Sequence, residues 1–352
     1  MRIAQVSPLI ESVPPREYGG TERVVSYLTE ELVSMGHEVT LFASGDSVTK
    51  ANLEAVYPLA LRLDANVTDH QAHHLIMFEK VFDRSEEFDL IHFHTGYLHF
   101  PLCRRLTVPS LTTHHGRLDI PELFPLYREF AELPFVSISN AQREPLSWAN
   151  WQGTAYNGIP DDLLSFHSER GKYLAFLGRI SPEKRVDRAI AIAQRAGMEI
   201  KIAAKVDKHD REYFDSQIRP LLKDPRVEFL GEISDRDKND FLGNAYALMF
   251  PIDWPEPFGL VMIEAMACGT PVVAFRRGSV PEVMNPGVTG YIVDDLEEAI
   301  NAVARVEALD RQLVRKEFET RFTARRMADD YLEIYERYLS GLFRPRLVVE
   351  QS

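Results

Sequence analysis

An α/β fold built from two parallel-sheet domains is predicted by three observations. Short apolar runs alternate with helical segments along most of the chain, these runs are continuous rather than interleaved with polar residues, and the series starts afresh near residue 165. Continuous apolar strands separated by helices mark a parallel sheet covered on both faces. A chain of 352 residues is also long enough for two ordinary cores.

Residues 2–6 form the first apolar run, followed by a long loop, IESVPPREYGG, over residues 10–20. In the next segment Val24, Val25, Leu28, Leu32 and Val33 recur with helical spacing, Gly36 ends the helix, and residues 39–42 open a second strand. Further strands are predicted at 90–93, 110–113 and 135–138. After the polar segment 165–172 the strand YLAFLGRI leads into the helix VDRAIAIAQRAG. Then come the strand EIKIAAK, a polar helix through Arg219, the strand VEFLG, a helix near 235–244 and the strand ALMFPI. The stretch PEPFGLVMIEAMACG supplies another helix, PVVAF and GYIVDD two more strands, and LEEAINAVARV a helix. The final helix, TARRMADDYLEIYERYLSGLF, has no strand after it and is expected to cross back onto the first domain. The predicted division is therefore 1–165, 166–322 and a terminal helix and tail over 323–352.

The formal net charge of -13 disfavours nucleic acid as a partner and disfavours peripheral membrane contact through a broad basic surface. An anionic ligand must then be held by a few placed cations or by helix ends. Two cysteines, Cys103 and Cys268, lie far apart in the sequence, which argues against a disulfide framework and for a reducing compartment. The opening MRIAQVSPL reads as a buried strand rather than a signal peptide, and no apolar run reaches bilayer length. A cytoplasmic location is expected.

PEPFGLVMIEAMACGTPVVAF places Glu256 and Glu264 in otherwise apolar surroundings. Glu256 sits between two prolines, ahead of a helix beginning near Phe258 or Gly259, whereas Glu264 lies within that helix. At 1.5 Å per residue the helical part between them spans about 8 Å. Two carboxylates so placed do not converge on one atom as an acid and base pair. They fit two hydroxyl-bearing parts of one extended ligand, with the helix N-terminus between them suited to phosphate. A solvated Glu264 and a Glu256 that merely favours the helix dipole form the bland alternative, but a lone carboxylate among VMIEAMACG needs a partner.

FLGRISPEKRV sets Arg179 and Lys184 across a loop between strand and helix, where open α/β sheets bind ligands. The pair can hold phosphate oxygens; equally, Arg179 can cap the strand and Lys184 can be solvated. Gly19 and Gly20 precede a helix, allowing close backbone approach to a ligand or forming an ordinary loop. Eight of eleven histidines fall between residues 70 and 115. His92 with His94 and His70 with His74 share faces, which raises zinc, yet no cysteine is near and no H-E-x-x-H spacing occurs, so no metal is expected. His114 or His115, at a strand end before Gly116, is better placed to enter a cleft. Trp148 and Trp151 are read as packing residues. The chain has no G-x-G-x-x-G, Walker A loop or G-x-S-x-G.

YGGTERVV, TTHHG, GRISPEK and PEPFGLVMIEAMACGTPVVA, in that order, resemble the retaining glycosyltransferases of family 4 over nearly the whole chain. The E-x7-E pair with the downstream G-T-P-V-V-A is the most specific part. The resemblance implies the GT-B fold, two facing Rossmann-like domains, with an acceptor-side first domain and a donor-binding second one. It implies that Arg179 and Lys184 bind the donor diphosphate, Glu264 the ribose and Glu256 the transferred sugar, with the Phe258, Gly259 and Leu260 backbone close by. Gly20, beside Gly19, would let the first-domain loop approach, His115 would face the sugar, with His114 the other candidate, and Ile233 in LGEISD would neighbour the base. A hexose would pass with retention from a nucleotide-diphosphate sugar to a small-molecule or glycan hydroxyl, with neither metal nor cofactor. UDP-glucose is taken as donor because UDP-sugars are commoner in the family, GDP-mannose being the alternative. An epimerase or phosphorylase on the same fold and a non-catalytic nucleotide-sugar binder are the competing readings.

Overall fold

The computed structural model describes residues 1–16 and 19–342. Tyr18 of the glycine loop and the end of the chain from Phe343 lie outside the described residues. Two wholly parallel sheets result from the alternation. The first contains β1 (Arg2–Val6), β2 (Glu38–Ser44), β3 (Asn52–Tyr57), β4 (Leu90–Phe93), β5 (Ser110–Thr113), β6 (Phe135–Ser137) and β7 (Trp151–Thr154), in spatial order β3-β2-β1-β4-β5-β6-β7. The second contains β8 (Tyr173–Arg179), β9 (Glu199–Lys205), β10 (Val227–Gly231), β11 (Ala245–Phe250), β12 (Val272–Phe275) and β13 (Gly290–Val293), in order β10-β9-β8-β11-β12-β13.

Each sheet reverses its strand order beside its first strand. Ile3 of β1 is in register with Val39 on one side and Leu90 on the other, and Leu174 of β8 pairs with Ile200 and Ala247. Such a switch point opens a crevice at the strand C-terminal ends. The helices Gly20–Ser34 and Val186–Ala196 follow the central strands of their sheets into that crevice.

The last helix, Ala324–Leu342, does cross back. Met327, Tyr331, Ile334 and Tyr335 join Ile3, Leu28 and Leu111 in one core. Tyr331 donates to Thr113 Oγ1 at 3.1 Å, and the Tyr335 hydroxyl pairs with His92 Nδ1 at 2.7 Å. Both contacts lie inside the first sheet, so the helix is an integral part of that half.

Some sequence expectations need correction. The strands β3 and β7 were not anticipated, because they form the two edges of the first sheet and their side chains are half-buried or exposed, leaving no apolar run. The polar helix expected to run through Arg219 is a short helix, Arg211–Tyr213, continued by a π-helical turn, Phe214–Ile218. The helix Arg311–Arg321 carries little apolar periodicity because its surface is polar, although Arg311 itself is buried and donates to the carbonyls of Ala245 and Gly243. Trp151 packs on Phe135, but Trp148 is 43% exposed and is not a core residue. Cys103 and Cys268 are buried and free. Among the described residues no helix is long and apolar enough to cross a membrane.

Candidate active site

A cavity of about 700 Å³ lies between the two sheets. Its wall in the second half comes from the end of β8, the loop after β10, and the segment that leaves β11 and becomes the helix Leu260–Ala267. Gly19, Gly20, Arg23, His115 and Arg117 line it from the first half.

Glu256 and Glu264 are 8% and 5% exposed, which removes the reading of Glu264 as a solvated glutamate. Each carboxylate has a cationic partner. The Glu256 carboxylate is ion-paired with the Lys184 ammonium and accepts the Trp254 indole N–H at 3.0 Å. The same ammonium lies 4.9 Å from the Trp254 ring centroid, so aromatic face and carboxylate hold the cation together. Glu264 Oε1 accepts from Lys238 Nζ at 3.0 Å. Between the two glutamates, Gly259 has φ of 82° and is the N-cap of the helix. A Cβ there would stand 2.9 Å from the Met262 methyl and 3.0 Å from the Phe250 ring. Glycine is thus required both by the left-handed turn and by the packing. The first-turn N–H groups at Leu260 and Val261 border the cavity.

Arg179 ends β8 and reaches Glu183 Oε1 at 2.6 Å, with Asp207 and Asp210 oxygens at 3.8 and 3.7 Å. Burial pushes the Glu183 carboxyl up, but its backbone N–H contact, Ser181 and Arg179 outweigh this and hold it below the usual range. Arg179 and Lys184 therefore both line the cavity, each matched to a carboxylate.

The two adjacent histidines lie in different surroundings. His114 is buried and bonded to the Tyr127 hydroxyl, whereas His115 lines the cavity. His115 Nε2 pairs with His94 Nδ1 at 2.9 Å, and His94 Nε2 reaches Gln5 Oε1 at 2.8 Å. Burial pushes the His115 ring down to about 4, so it is neutral near pH 7 and is a hydrogen-bonding group rather than a cation. His92 and His99 are spent on Tyr335, Thr113 and Thr112, and His74 accepts the Leu9 N–H, tying down the first loop. Among the described residues no group of three or more His, Cys, Asp or Glu is arranged to hold a metal ion.

A family model for glycosyl transferases group 1 matches residues 165–322, and one for glycosyltransferase family 4 matches residues 18–152. The chain is a family 4 type glycosyltransferase. The N-acetyl-alpha-D-glucosaminyl L-malate synthase of Bacillus anthracis is 27% identical over 318 residues, 78% of this chain and 81% of that one. An uncharacterised 42.6 kDa protein of the cps region of Klebsiella pneumoniae is 29% identical over 185 residues, and there the match spans about half of that relative, 46%. Among solved structures AviGT4, a glycosyltransferase involved in avilamycin A biosynthesis, superimposes with a TM-score of 0.72 at 24% identity, covering 97% of this chain and 98% of that one. The fold of this glycosyltransferase is accordingly GT-B.

Gly19, Gly20, His115, Arg179, Lys184, Ile233, Glu256, Phe258, Gly259, Leu260 and Glu264 of the glycosyltransferase all line this cavity, whereas the other histidine candidate, His114, does not. The two glycines differ in kind. A Cβ on Gly19 would meet Pro15 Cβ at 2.8 Å, so packing dictates that glycine; on Gly20 it would meet only the Leu260 side chain, at 4.0 Å. The Phe258 ring is buried against Phe322 and Tyr156, leaving only its backbone for a ligand. Lys238, Arg23 and Asn157 also line the cavity and were missed. Lys238 sits in SDRDKND, a polar run that reads as a solvated helix, and only the fold reveals its burial beside Glu264.

Proposed function

We propose that the enzyme transfers a hexose, with retention of anomeric configuration and without a metal ion, from a nucleotide-diphosphate sugar to a hydroxyl acceptor. In this reading residues 166–322 hold the donor and residues 1–165 face the acceptor, with the helix Ala324–Leu342 completing the first domain. The observation that supports it is that Glu256, the N-terminal residues of Leu260–Ala267, Arg179, Lys184 and Glu264 line one cavity, with Glu256 ahead of that helix and Glu264 within it. That order matches sugar, diphosphate and ribose. Gly20 and His115 close the site from the other half, and Ile233, in the loop after β10, is next to the base.

The C1–phosphate bond breaks as the acceptor oxygen bonds to C1 from the same face, and the acceptor proton passes to the departing phosphate oxygen. No protein nucleophile is needed for this. The protein's part is to stabilise charge growing on the diphosphate. Arg179 and Lys184 would exchange Glu183 and Glu256 for phosphate oxygens, and charge-assisted hydrogen bonds of ~1.5–3 kcal/mol each supply stabilisation that strengthens as the bond breaks. Neutral His115 supports the sugar without competing for the phosphate.

UDP-glucose is the proposed donor and GDP-mannose the alternative. A thermal-shift panel of UDP-, GDP-, ADP- and dTDP-sugars identifies the donor, since a ligand bound only by the native state raises the melting temperature. NMR of the product formed with chelator present then decides the rest. An α-linked product from an α-donor is expected; a β-linked product would overturn retention, and loss of turnover with chelator would overturn metal independence.

A further inference from the structure

Lys238 has no place in the reading above, yet it is the nearest cation to Glu264. The helix Asp235–Gly243 starts at Ser234, whose hydroxyl accepts the Asp237 N–H at 3.3 Å. This start sets Asp235 in the first turn and Lys238 one turn later on the same face. Lys238 Nζ is 3.0 Å from Asp235 Oδ1 and 3.0 Å from Glu264 Oε1, and its side chain is 15% exposed. Asp235 is also ion-paired with Arg23, on the helix Gly20–Ser34 of the first domain. The charges thus alternate in a chain, Arg23, Asp235, Lys238 and Glu264, that crosses the cleft. Burial pushes the Lys238 ammonium down, but Glu264 and Asp235 outweigh it and keep it charged.

An ammonium has three donors, and two are taken. Glu264 has two oxygens, and among the described residues only Oε1 has a hydrogen-bond partner. A carboxylate alone would have to accept both hydroxyls of a vicinal diol. Lys238 takes one lone pair of Oε1 and leaves Oε2 as the open acceptor, while the ammonium keeps one N–H to donate, so the two groups together offer both an acceptor and a donor. A cis-diol offers the complementary set: one hydroxyl gives its proton to Glu264 Oε2, and the neighbouring oxygen accepts the third Lys238 proton.

We propose that Lys238 is a ribose-binding residue that shares the donor's 2′,3′-diol with Glu264, held in place by the Asp235–Arg23 ion pair from the other domain. The proposal rests on the reading of Glu264 as the ribose grip. It makes the preference for ribose a property of two side chains, and it ties that preference to the approach of the two domains.

The probes are UDP, GDP and ADP, each with its 2′-deoxy and 3′-deoxy forms, measured by calorimetry on the full chain. The diphosphate that binds best sets the reference. Lys238→Met is expected to lower the preference for the ribo form over at least one deoxy form about ten-fold, the size of one charge-assisted hydrogen bond. Lys238→Arg keeps the charge and both carboxylate partners but displaces the donor. It decides the question if the methionine variant does not fold: a reduced ribo preference at unchanged melting temperature supports the proposal, an unchanged preference overturns it. Glu264→Gln separates the two levels. If it loses the preference while both Lys238 variants keep it, Lys238 is structural and Glu264 remains the ribose grip. If no variant alters the preference, or no diphosphate binds, both ideas fall.

Discussion

The Lys184 ammonium and the Glu256 carboxylate are ion-paired in a cavity otherwise built to receive a ligand. Sequence separation of 72 residues hid this contact. In the proposed reading donor binding loosens the pair, freeing the cation for phosphate and the carboxylate for sugar hydroxyls. Lys184→Ala is therefore expected to lower kcat by about 100- to 1000-fold, the cost of removing one transition-state charge donor, and to change donor KM far less. Equal losses in kcat and in affinity would show that Lys184 binds ground state and transition state alike.

Glu282 fastens the two domains together. Its carboxylate accepts the backbone N–H groups of Asn140 and Ala141 at 2.7 Å each, the Asn140 side-chain amide at 2.9 Å and the Tyr156 hydroxyl at 2.9 Å. Asn140 and Ala141 open a short helix of the first domain whose N-cap is Ser139, so a residue of the second domain takes two further free N–H groups of its first turn. Glu282→Ala should cost about 1–3 kcal/mol, as expected for several donors left unmet, and should lower the melting temperature by a few degrees. A melting temperature equal to that of the unaltered protein would mean that water replaces the carboxylate without loss.

Gly19 and Gly20 should separate folding from binding. Gly19→Ala drives a methyl group against Pro15 and is expected to destabilise the loop, read as a lower melting temperature. Gly20→Val finds space in the protein but fills the ligand's approach, so it should leave melting unchanged and weaken donor binding by about ten-fold or more. Reversed effects would assign the ligand approach to Gly19.

Buried neutral histidines predict acid sensitivity. Burial holds His92, His94 and His99 well below the usual value, and pushes His114 down to about 3. For a histidine whose folded pKa lies below its unfolded one, near 6.5, the unfolded state binds protons first. Stability is then fully present above about pH 6.5 and falls as pH drops toward the folded values, by about 1.4 kcal/mol per pH unit for each such group. Chemical denaturation at pH 7, 6, 5 and 4 should show this slope, and His99→Gln should make it shallower. Flat stability from pH 7 to 4 would contradict neutral burial.

Much of the site was legible because its residues are local. Arg179 and Lys184, and likewise Glu256 and Glu264, are fixed relative to one another by a strand end, a turn or a single helix, and such spacing is written in the chain. The partners were not legible. Glu264 meets Lys238 from another helix, and His115 is backed by His94, just past the end of β4, and through it by Gln5 of β1. The choice between His114 and His115 also waited for the fold, since adjacent residues at a strand end face opposite ways and only the position of Tyr127 shows which ring is covered.

By itself the sequence determined the alternation of buried strands and helices, the two parallel sheets and the spacing of the ligand-facing groups along each segment, because apolar periodicity and local turns depend on neighbours in the chain. Only the tertiary structure decided which cation faces which carboxylate, that the terminal helix seats Tyr331 and Tyr335 against Thr113 and His92, and that Lys238 meets Glu264 in the cleft. Those contacts join residues far apart in sequence, and their energies come from desolvation and pairing that exist only once both domains have come together.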